Sequence, residues 1–342
     1  MTGFMARRAK TALRRRARRS IRSALALRGF NRLAALPPLK TRFIVNPRAG
    51  RAGRVLARVH EFASQLQADV SLTTHRHHAT ELATHALLEG CRLIVAVGGD
   101  GTLNEVASSL VDTPATFGLI PCGSGNGLGR HLGIHGSLEH ALETLRSGRN
   151  RLIDTGLAEG HPFFNVAGLG FEAELSAQFN RLTDRGLLRY MGAGAQLWRR
   201  HEPEDYWIEC EDHRQRARGF TVAVANSDQY GNNARIAPGA RVDDGLLDLT
   251  VVPPVPAWRA LPLLAGLFTG AIGSAQGVVR LRSTHFVVER AAPGLIHTDG
   301  ETHSAGTRVE FMLRPRSLRV MAPPTDDMEL LPVEPEFSTL NP

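Results

Sequence analysis

The chain has 342 residues, 42% hydrophobic and 22% charged, with 41 Lys and Arg against 33 Asp and Glu for a formal net charge of +8. That composition excludes a disordered, collagenous or disulfide-stapled chain, and the length suffices for two cores. The charge does not describe the whole molecule, because 11 of the basic residues lie in the first 32 positions, ahead of the first acid, Glu61, and residues 33–342 carry 30 basic against 33 acidic residues, a net of −3. Nucleic acid is therefore not an expected partner of the body. Cys91, Cys122 and Cys210 lie far apart and match neither a disulfide framework nor a zinc pattern, which points to a reducing, cytoplasmic compartment.

In chain order, residues 1–40 form an arginine-rich tail. Ala9, Leu13, Ala17, Ile21 and Leu25 recur every four residues, a thin apolar stripe beside an arginine face, which is the pattern of a helix lying on an anionic membrane surface. The alternative is a disordered basic arm for nucleic acid or for the acidic C-terminal tail. Arginines run through positions 7–22 without the apolar core that a secretory signal needs, so export is not expected.

Residues 41–149 alternate strands and helices: Arg42–Val45, then a helix over Arg54–Leu66, Asp69–Thr73, a helix over Thr80–Glu89, Leu93–Val97, a helix over Leu103–Leu110, and Phe117–Ile120. This βαβα order predicts a parallel sheet covered by helices. A further helix near Leu138–Arg146 closes the domain. Residues 150–322 change to period-two strands, Phe220–Ala225, Leu246–Val252, Thr284–Val288 and Val309–Leu313, which predict a β-rich antiparallel sandwich or meander. The uncharged run Ala260–Val279 is long enough to cross a bilayer, but its glycines make it too weakly hydrophobic, and a buried or lipid-touching helix is expected. Trp258 and Leu261–Phe268 could line an acyl-chain slot, and the default expectation is that they close the second core. Residues 323–342 read as an acidic tail.

Three glycine-bearing loops follow strands of the first domain: Asn46-Pro47-Arg48-Ala49-Gly50, Gly98-Gly99-Asp100-Gly101-Thr102 and Gly123-Ser124-Gly125-Asn126-Gly127. In a parallel sheet these ends share one edge, where helix N-termini offer amides to a phosphate. One loop alone is better read as a turn; three in register point to one phosphate-bearing ligand. A Walker loop is excluded, since the chain's two lysines, Lys10 and Lys40, lie in no Gly-Lys-Ser/Thr context, and no Gly-x-Gly-x-x-Gly opens the first helix. Asp100 beside polyphosphate implies Mg²⁺ or a proton-accepting role, or else a cap on the helix expected from Leu103. His75, His77 and His78, without matching acids, are expected to be a solvated loop rather than a metal cluster.

Asn46-Pro-x-x-Gly50, Val97-Gly-Gly-Asp-Gly-Thr-Leu-Asn-Glu-Val106 and Leu119-Ile-Pro-x-Gly-Ser-Gly-Asn126 together resemble the catalytic domain of the diacylglycerol kinase and sphingosine kinase superfamily, over roughly Thr41–Ala322. The resemblance implies an NAD kinase/diacylglycerol kinase-like α/β nucleotide-binding domain, a second β-rich domain and a cleft between them. It implies an ATP- and Mg²⁺-dependent lipid kinase. Its nucleotide contacts fall on Asn46, Pro47, Arg48, Ala49 and Gly50, on Thr73 or its neighbour Thr74, on Gly98, Gly99, Asp100, Gly101, Thr102, Leu103 and Asn104, and on Ser124. His297-Thr298-Asp299-Gly300-Glu301 resembles the family's Asp-Gly-Glu motif, with Asp299 or Glu301 as proton acceptor. Arg241-Val-Asp-Asp-Gly-Leu246 resembles its Mg²⁺ segment, with Asp244 giving a carboxylate and Arg241 and Leu246 carbonyls.

Phosphoryl transfer through a loose transition state needs positioning and charge neutralisation more than a strong base, which these residues could supply, with Arg48 or Arg51 neutralising charge. Without the resemblance, Asp299-Gly300 reads as a hairpin turn. The expected acceptor is a diacylglycerol-like lipid in the membrane, with the enzyme cytoplasmic and peripheral to the inner face of the plasma membrane. Gly127-Leu128 departs from the Asp-aromatic pair of many bacterial glycerolipid kinases and looks more like the sphingosine kinase version, so a sphingoid base is the alternative. An NAD kinase-like enzyme and a non-enzymatic membrane- or nucleic-acid-binding module are the others. A homodimer is compatible with the sequence.

Overall fold

The computed structural model describes residues 39–180, 192, 194, 196–211 and 213–324; the tail stripe at 9–25 and the acids of 325–342 lie outside the described residues. Strands β1 (Thr41–Val45), β2 (Asp69–Leu72), β3 (Leu93–Gly98) and β4 (Thr116–Pro121) lie parallel in the order β2-β1-β3-β4, joined through helices α1 (Ala52–Gln65), α2 (His78–Leu88) and α3 (Asp100–Leu110). Ile94, Val95, Ala96 and Val97 of β3 are all fully buried, as a central parallel strand covered on both faces requires. From α1, Val59, Phe62 and Ala63 meet that core. After α4 (Gly127–His131), helix α5 (Leu138–Ser147) opens on Ser137, whose hydroxyl accepts the His140 N–H at 3.1 Å, an N-cap.

The first sheet does not remain parallel. Strand β5 (Arg149–Ala158) runs antiparallel to the long last strand, β18 (Arg308–Ala322). The later half of β18 lies parallel to β4, with Arg319 opposite Thr116, and its earlier half pairs antiparallel with β15 (His285–Glu289). The sheet therefore becomes a mixed one of ten strands that also holds β6 (His161–Phe163), β8 (Glu204–Cys210) and β9 (His213–Gly219). Between its halves β18 bends at an irregularity spanning Arg314 to Leu318, where Arg316 takes a φ of +50°. The fully buried Asp154 holds that bend by accepting the Arg316 N–H at 2.7 Å.

A second sheet, wholly antiparallel, has the order β14 (Val279–Ser283), β13 (Leu247–Val252), β10 (Thr221–Ala225), β7 (Val166–Gly170), β16 (Gly294–Thr298), β17 (Glu301–Ala305). It sandwiches Tyr206, Val222, Val224, Leu249, Phe286 and Phe311 against the far half of the first sheet. Strand β10 reads Thr-Val-Ala-Val-Ala, and its period-two alternation sends the valines into that sandwich and Ala223 and Ala225 to the opposite face. Helix α6 (Phe171–Asn180) continues directly from β7, and on that opposite face of β10, α7 (Ala257–Thr269) lays Leu263 and Leu267 over the small alanines.

The expectation that Trp258 and Leu261–Phe268 close the core holds for Leu263 and Leu267 and is corrected for the rest of the large side chains: Trp258 is 70% and Leu261 75% exposed, and Leu264 and Phe268 also face outward. Gly270, in the left-handed region at a φ of +78°, ends the helix, so the uncharged run Ala260–Val279 holds the last ten residues of this 13-residue helix, a short 3₁₀ turn and the first residue of strand β14. No helix among the described residues is long and apolar enough to cross a membrane.

The hairpin of β16 and β17 is stapled at its far end by Arg290. This nearly buried guanidinium donates to the carbonyls of Gly294, Leu295, Ala305 and Gly306 at 2.8–3.1 Å, and burial lowers its pKa. Arg290→Gln removes most of these donors from enclosed carbonyls and is expected to lower the unfolding free energy by about 3 kcal/mol. Urea denaturation checks this; an unchanged midpoint would show that the staple is dispensable.

Candidate active site

The three glycine loops meet. The Asn46 N–H bonds the Val97 carbonyl at 3.0 Å and its side-chain amide donates to the Thr102 hydroxyl at 3.1 Å, tying the first loop to the second. Arg51 N–H bonds the Cys122 carbonyl at 3.0 Å, tying the first to the third. The glycines are needed largely because the loops approach one another. A Cβ on Gly50, whose φ is +50°, would lie 2.1 Å from the Cys122 oxygen, and one on Gly125 would lie 2.7 Å from the Asp100 carboxylate. At Gly101 a Cβ would meet nothing within 4 Å, so there the backbone at the N-terminus of α3 faces open space, with its first-turn amides unpaired by helix geometry.

Asp100 joins the second loop to the third. Its carboxylate accepts the N–H groups of Asn126 at 2.8 Å and Gly127 at 2.9 Å, at the start of α4. The helix begins at Asp100 itself rather than at Leu103, and the acid caps its neighbour α4, not its own helix. Burial pushes the Asp100 carboxyl up, opposed by the hydrogen bonds from Asn126, Gly127 and its own amide. Asn46, Pro47 and Ala49 are half-buried and Arg48 and Ser124 exposed at the loop surface. Leu103 is buried in the core with its N–H bonded to Gly99, and Thr102 is spent on Asn46, whereas Asn104 is partly open. Thr73 follows β2 with its N–H on the Val45 carbonyl, and Thr74 donates to His78 Nδ1 at 3.0 Å. Glu81 joins His75 and His78, supplying an acid that the sequence reading did not place there.

Asp299 and Glu301, two residues apart, have opposite surroundings. Asp299 sits at a φ of +49° in the turn between β16 and β17, and its carboxylate accepts the N–H groups of Phe164, Asn165 and Val166 at 2.7, 2.9 and 3.0 Å. Burial raises its pKa against those three bonds. Glu301 is exposed and lies 3.4 Å from the Arg76 guanidinium, which belongs to the loop after β2. Gly300 between them is held on both sides: its N–H bonds His297 Nδ1 at 3.3 Å and its carbonyl accepts from the Asn180 side chain at 2.8 Å. His297 Nε2 in turn faces the buried Glu172 at 3.4 Å, and Glu172 accepts from the Tyr230 hydroxyl.

Asn165 connects the two halves of the site. Its N–H serves Asp299, its side chain lies so near Gly127 that a Cβ added there would come 3.2 Å from the amide carbon, and its side-chain oxygen accepts from Ser227 at 2.9 Å. Neither Asn165, Glu172 nor Asp154 was singled out in the sequence. Asn165 and Glu172 stand just after strands and Asp154 inside one, and their roles depend on which donors the fold brings beside them.

The segment Arg241–Leu246 is fixed elsewhere. Val242 joins the first core, its carbonyl accepts the Asp154 N–H, and Gly245 N–H bonds Asp154 at 2.9 Å. Asp244 pairs with Arg282 and accepts the Leu246 N–H at 3.2 Å, and Arg241 contacts Asp243 at 3.4 Å. Burial raises the Asp243 carboxyl, but the hydrogen bond and charge of Arg151, with help from Arg241, bring it below the ordinary range. Carbonyls and a carboxylate are hard donors of the kind Mg²⁺ takes. With the Arg282 guanidinium already neutralising Asp244, however, the set does not fit an ion as it stands.

The chain matches the family model of the diacylglycerol kinase catalytic domain over residues 40–158 and that of the YegS C-terminal NAD kinase beta sandwich-like domain over residues 165–322. It is 33% identical over 271 residues to a Pseudomonas fluorescens protein named "Probable lipid kinase YegS-like", covering 77% of this chain and 87% of that one. It is 29% identical over 293 residues to a diacylglycerol kinase of Bacillus subtilis, covering 83% and 96%. A crystal structure of a diacylglycerol kinase from Bacillus anthracis superposes with a TM-score of 0.66 at 20% identity, over 84% of this chain and 97% of that one, and shares the fold. The chain belongs to the diacylglycerol kinase catalytic-domain family in its YegS-type two-domain form, a family of lipid kinases that are phosphotransferases with an alcohol acceptor and ATP as co-substrate.

Proposed function

We propose that the protein transfers the γ-phosphate of ATP, taken as its Mg²⁺ complex, to a hydroxyl of a diacylglycerol-like membrane lipid, working at the cytoplasmic face of the membrane. One observation carries the reading. Of the two acids in the Asp-Gly-Glu turn, Asp299 is consumed by three backbone amides, which leaves Glu301 exposed at the edge of the loop cluster. Glu301 takes the proton as the lipid hydroxyl oxygen forms its bond to the γ-phosphorus and the bond to ADP breaks. The α3 amides near Gly101 receive phosphate oxygens, and the exposed Arg48 offsets their charge. Asp100 serves by holding the third loop against the second.

The alternative acceptor, a sphingoid base, rests on Gly127, where a Cβ would come within 3.2 Å of the Asn165 side-chain amide. The deciding assay supplies γ-labelled ATP and Mg²⁺ over mixed micelles of diacylglycerol, phosphatidylglycerol or sphingosine and asks which chloroform-soluble product carries label. Label found only in NADP would sink the lipid reading.

Glu301→Gln should lower kcat about 1,000-fold with nucleotide affinity and thermal midpoint unchanged; near-normal turnover removes Glu301 from the base role. Asp299→Asn should also lose activity, but with a loss of stability of about 3 kcal/mol, because an amide cannot accept from three N–H groups as the carboxylate does. A stable, inactive Asp299→Asn enzyme would instead return Asp299 to the chemistry.

The arginine-rich tail is proposed to add attraction to anionic lipid. Deleting residues 1–32 should weaken sedimentation with anionic vesicles at low salt and spare turnover on a monomeric short-chain lipid. Unchanged sedimentation refutes the role.

A further inference from the structure

Helix α7 divides its apolar residues between two faces. Leu263 and Leu267 turn inward onto Val166, Ala223, Ala225 and Ile236. Trp258, Leu261, Leu264 and Phe268, at steps of three, three and four, form one outward stripe with exposures of 70%, 75%, 48% and 53%. A contiguous stripe of large apolar side chains on a surface marks an interaction site.

The chemistry around the stripe indicates what covers it. No acidic residue occurs in the sequence between Asp248 and Glu289, so nothing on this segment repels an anionic surface. Arg259 stands over the Trp258 ring at 4.7 Å, at the N-terminal edge of the stripe. An indole beside a guanidinium, followed by leucines and a phenylalanine, suits the boundary between headgroups and acyl chains, where rings sit at headgroup level and aliphatic groups go deeper. The helix also borders the reaction centre. It lies against β12 (Ala234–Arg235), which pairs with β11 (Gln229–Gly231), and a Cβ on Gly231 would come 3.0 Å from the Cα of Gly125 in the third glycine loop.

We propose that this outward face of α7 docks the protein onto a phospholipid bilayer, with Trp258, Leu261, Leu264 and Phe268 entering the headgroup–acyl boundary and Arg259 at the level of the phosphates. The proposal rests on the reading of the acceptor as a membrane lipid. It is separate from the arginine tail: attraction of the tail is screened by salt, whereas apolar insertion persists.

The test uses the full-length protein, vesicles of phosphatidylcholine and phosphatidylglycerol, about 0.5 M salt to screen the tail, and no ATP. The wild type should cosediment with vesicles and its tryptophan emission should shift to the blue. The triple variant Trp258→Ser, Leu261→Ser, Phe268→Ser should partition about 100-fold less, with its turnover on a monomeric short-chain lipid unchanged. Leu261→Asp alone, at the most exposed position, should lose at least about tenfold and covers the case of a triple variant that fails to fold. Trp258→Phe should keep binding and lose the blue shift. Vesicle binding by the triple variant and by Leu261→Asp equal to wild type would overturn the proposal. So would a wild-type dimer in vesicle-free solution that the same substitutions convert to a monomer, since a second copy would then cover the face. A protein that docks through α7 yet labels no lipid would overturn the proposed function and leave the docking face standing.

Discussion

Two carboxylates hold backbone amides in place, and the rest of the site depends on them. Asp100 takes the N–H groups at the start of α4, and Asp299 takes three in succession from Phe164 to Val166. Charged acceptors on backbone donors make hydrogen bonds roughly twice as strong as neutral ones, and enclosed amides would otherwise be costly orphans. Each acid is therefore bound to structure. Asp100 joins the second glycine loop to the third, and Asp299 sets the turn from which Glu301 projects.

The two clamps are mechanically connected. Asp299 fixes Asn165, Asn165 lies against Gly127, and Gly127 is held by Asp100. The Asp-Gly-Glu turn and the glycine loops therefore share one continuous chain of contacts. Asp154 performs the same task one layer away, joining the bend of β18 to the Arg241–Leu246 segment. Since β18 belongs to both halves of the first sheet, it couples the α/β layer to the sandwich through a continuous strand rather than a flexible linker.

Much of the α/β layer was legible because its signals are local. Ile94–Val97 is a continuous apolar run, and the three-four spacing from Val55 to Leu66 marks one helical face. The convergence of the glycine loops also followed from strand order alone. The mixed character of the sheet did not, because β18 pairs with β4 across about two hundred residues of chain, and no local period encodes such a partner. The same holds for the acids. Asp100, Asp299 and Glu301 stand in similar glycine contexts, and only the tertiary supply of amides separates two anchors from one exposed carboxylate.

Helix α7 shows where a composition argument stops. Its apolar content is the same whichever way the side chains turn, so Trp258 and Leu261 read as core until the size of the layer beneath is known. That layer, which presents Ala223 and Ala225 together with Val166 and Ile236, receives the ridge of Leu263 and Leu267. A helix with apolar residues nearly all round, set on a floor that can receive one ridge, must leave the other ridge outside. The alternation in β10 decides which side chains meet the helix, with the valines committed to the sandwich and the alanines to the helix.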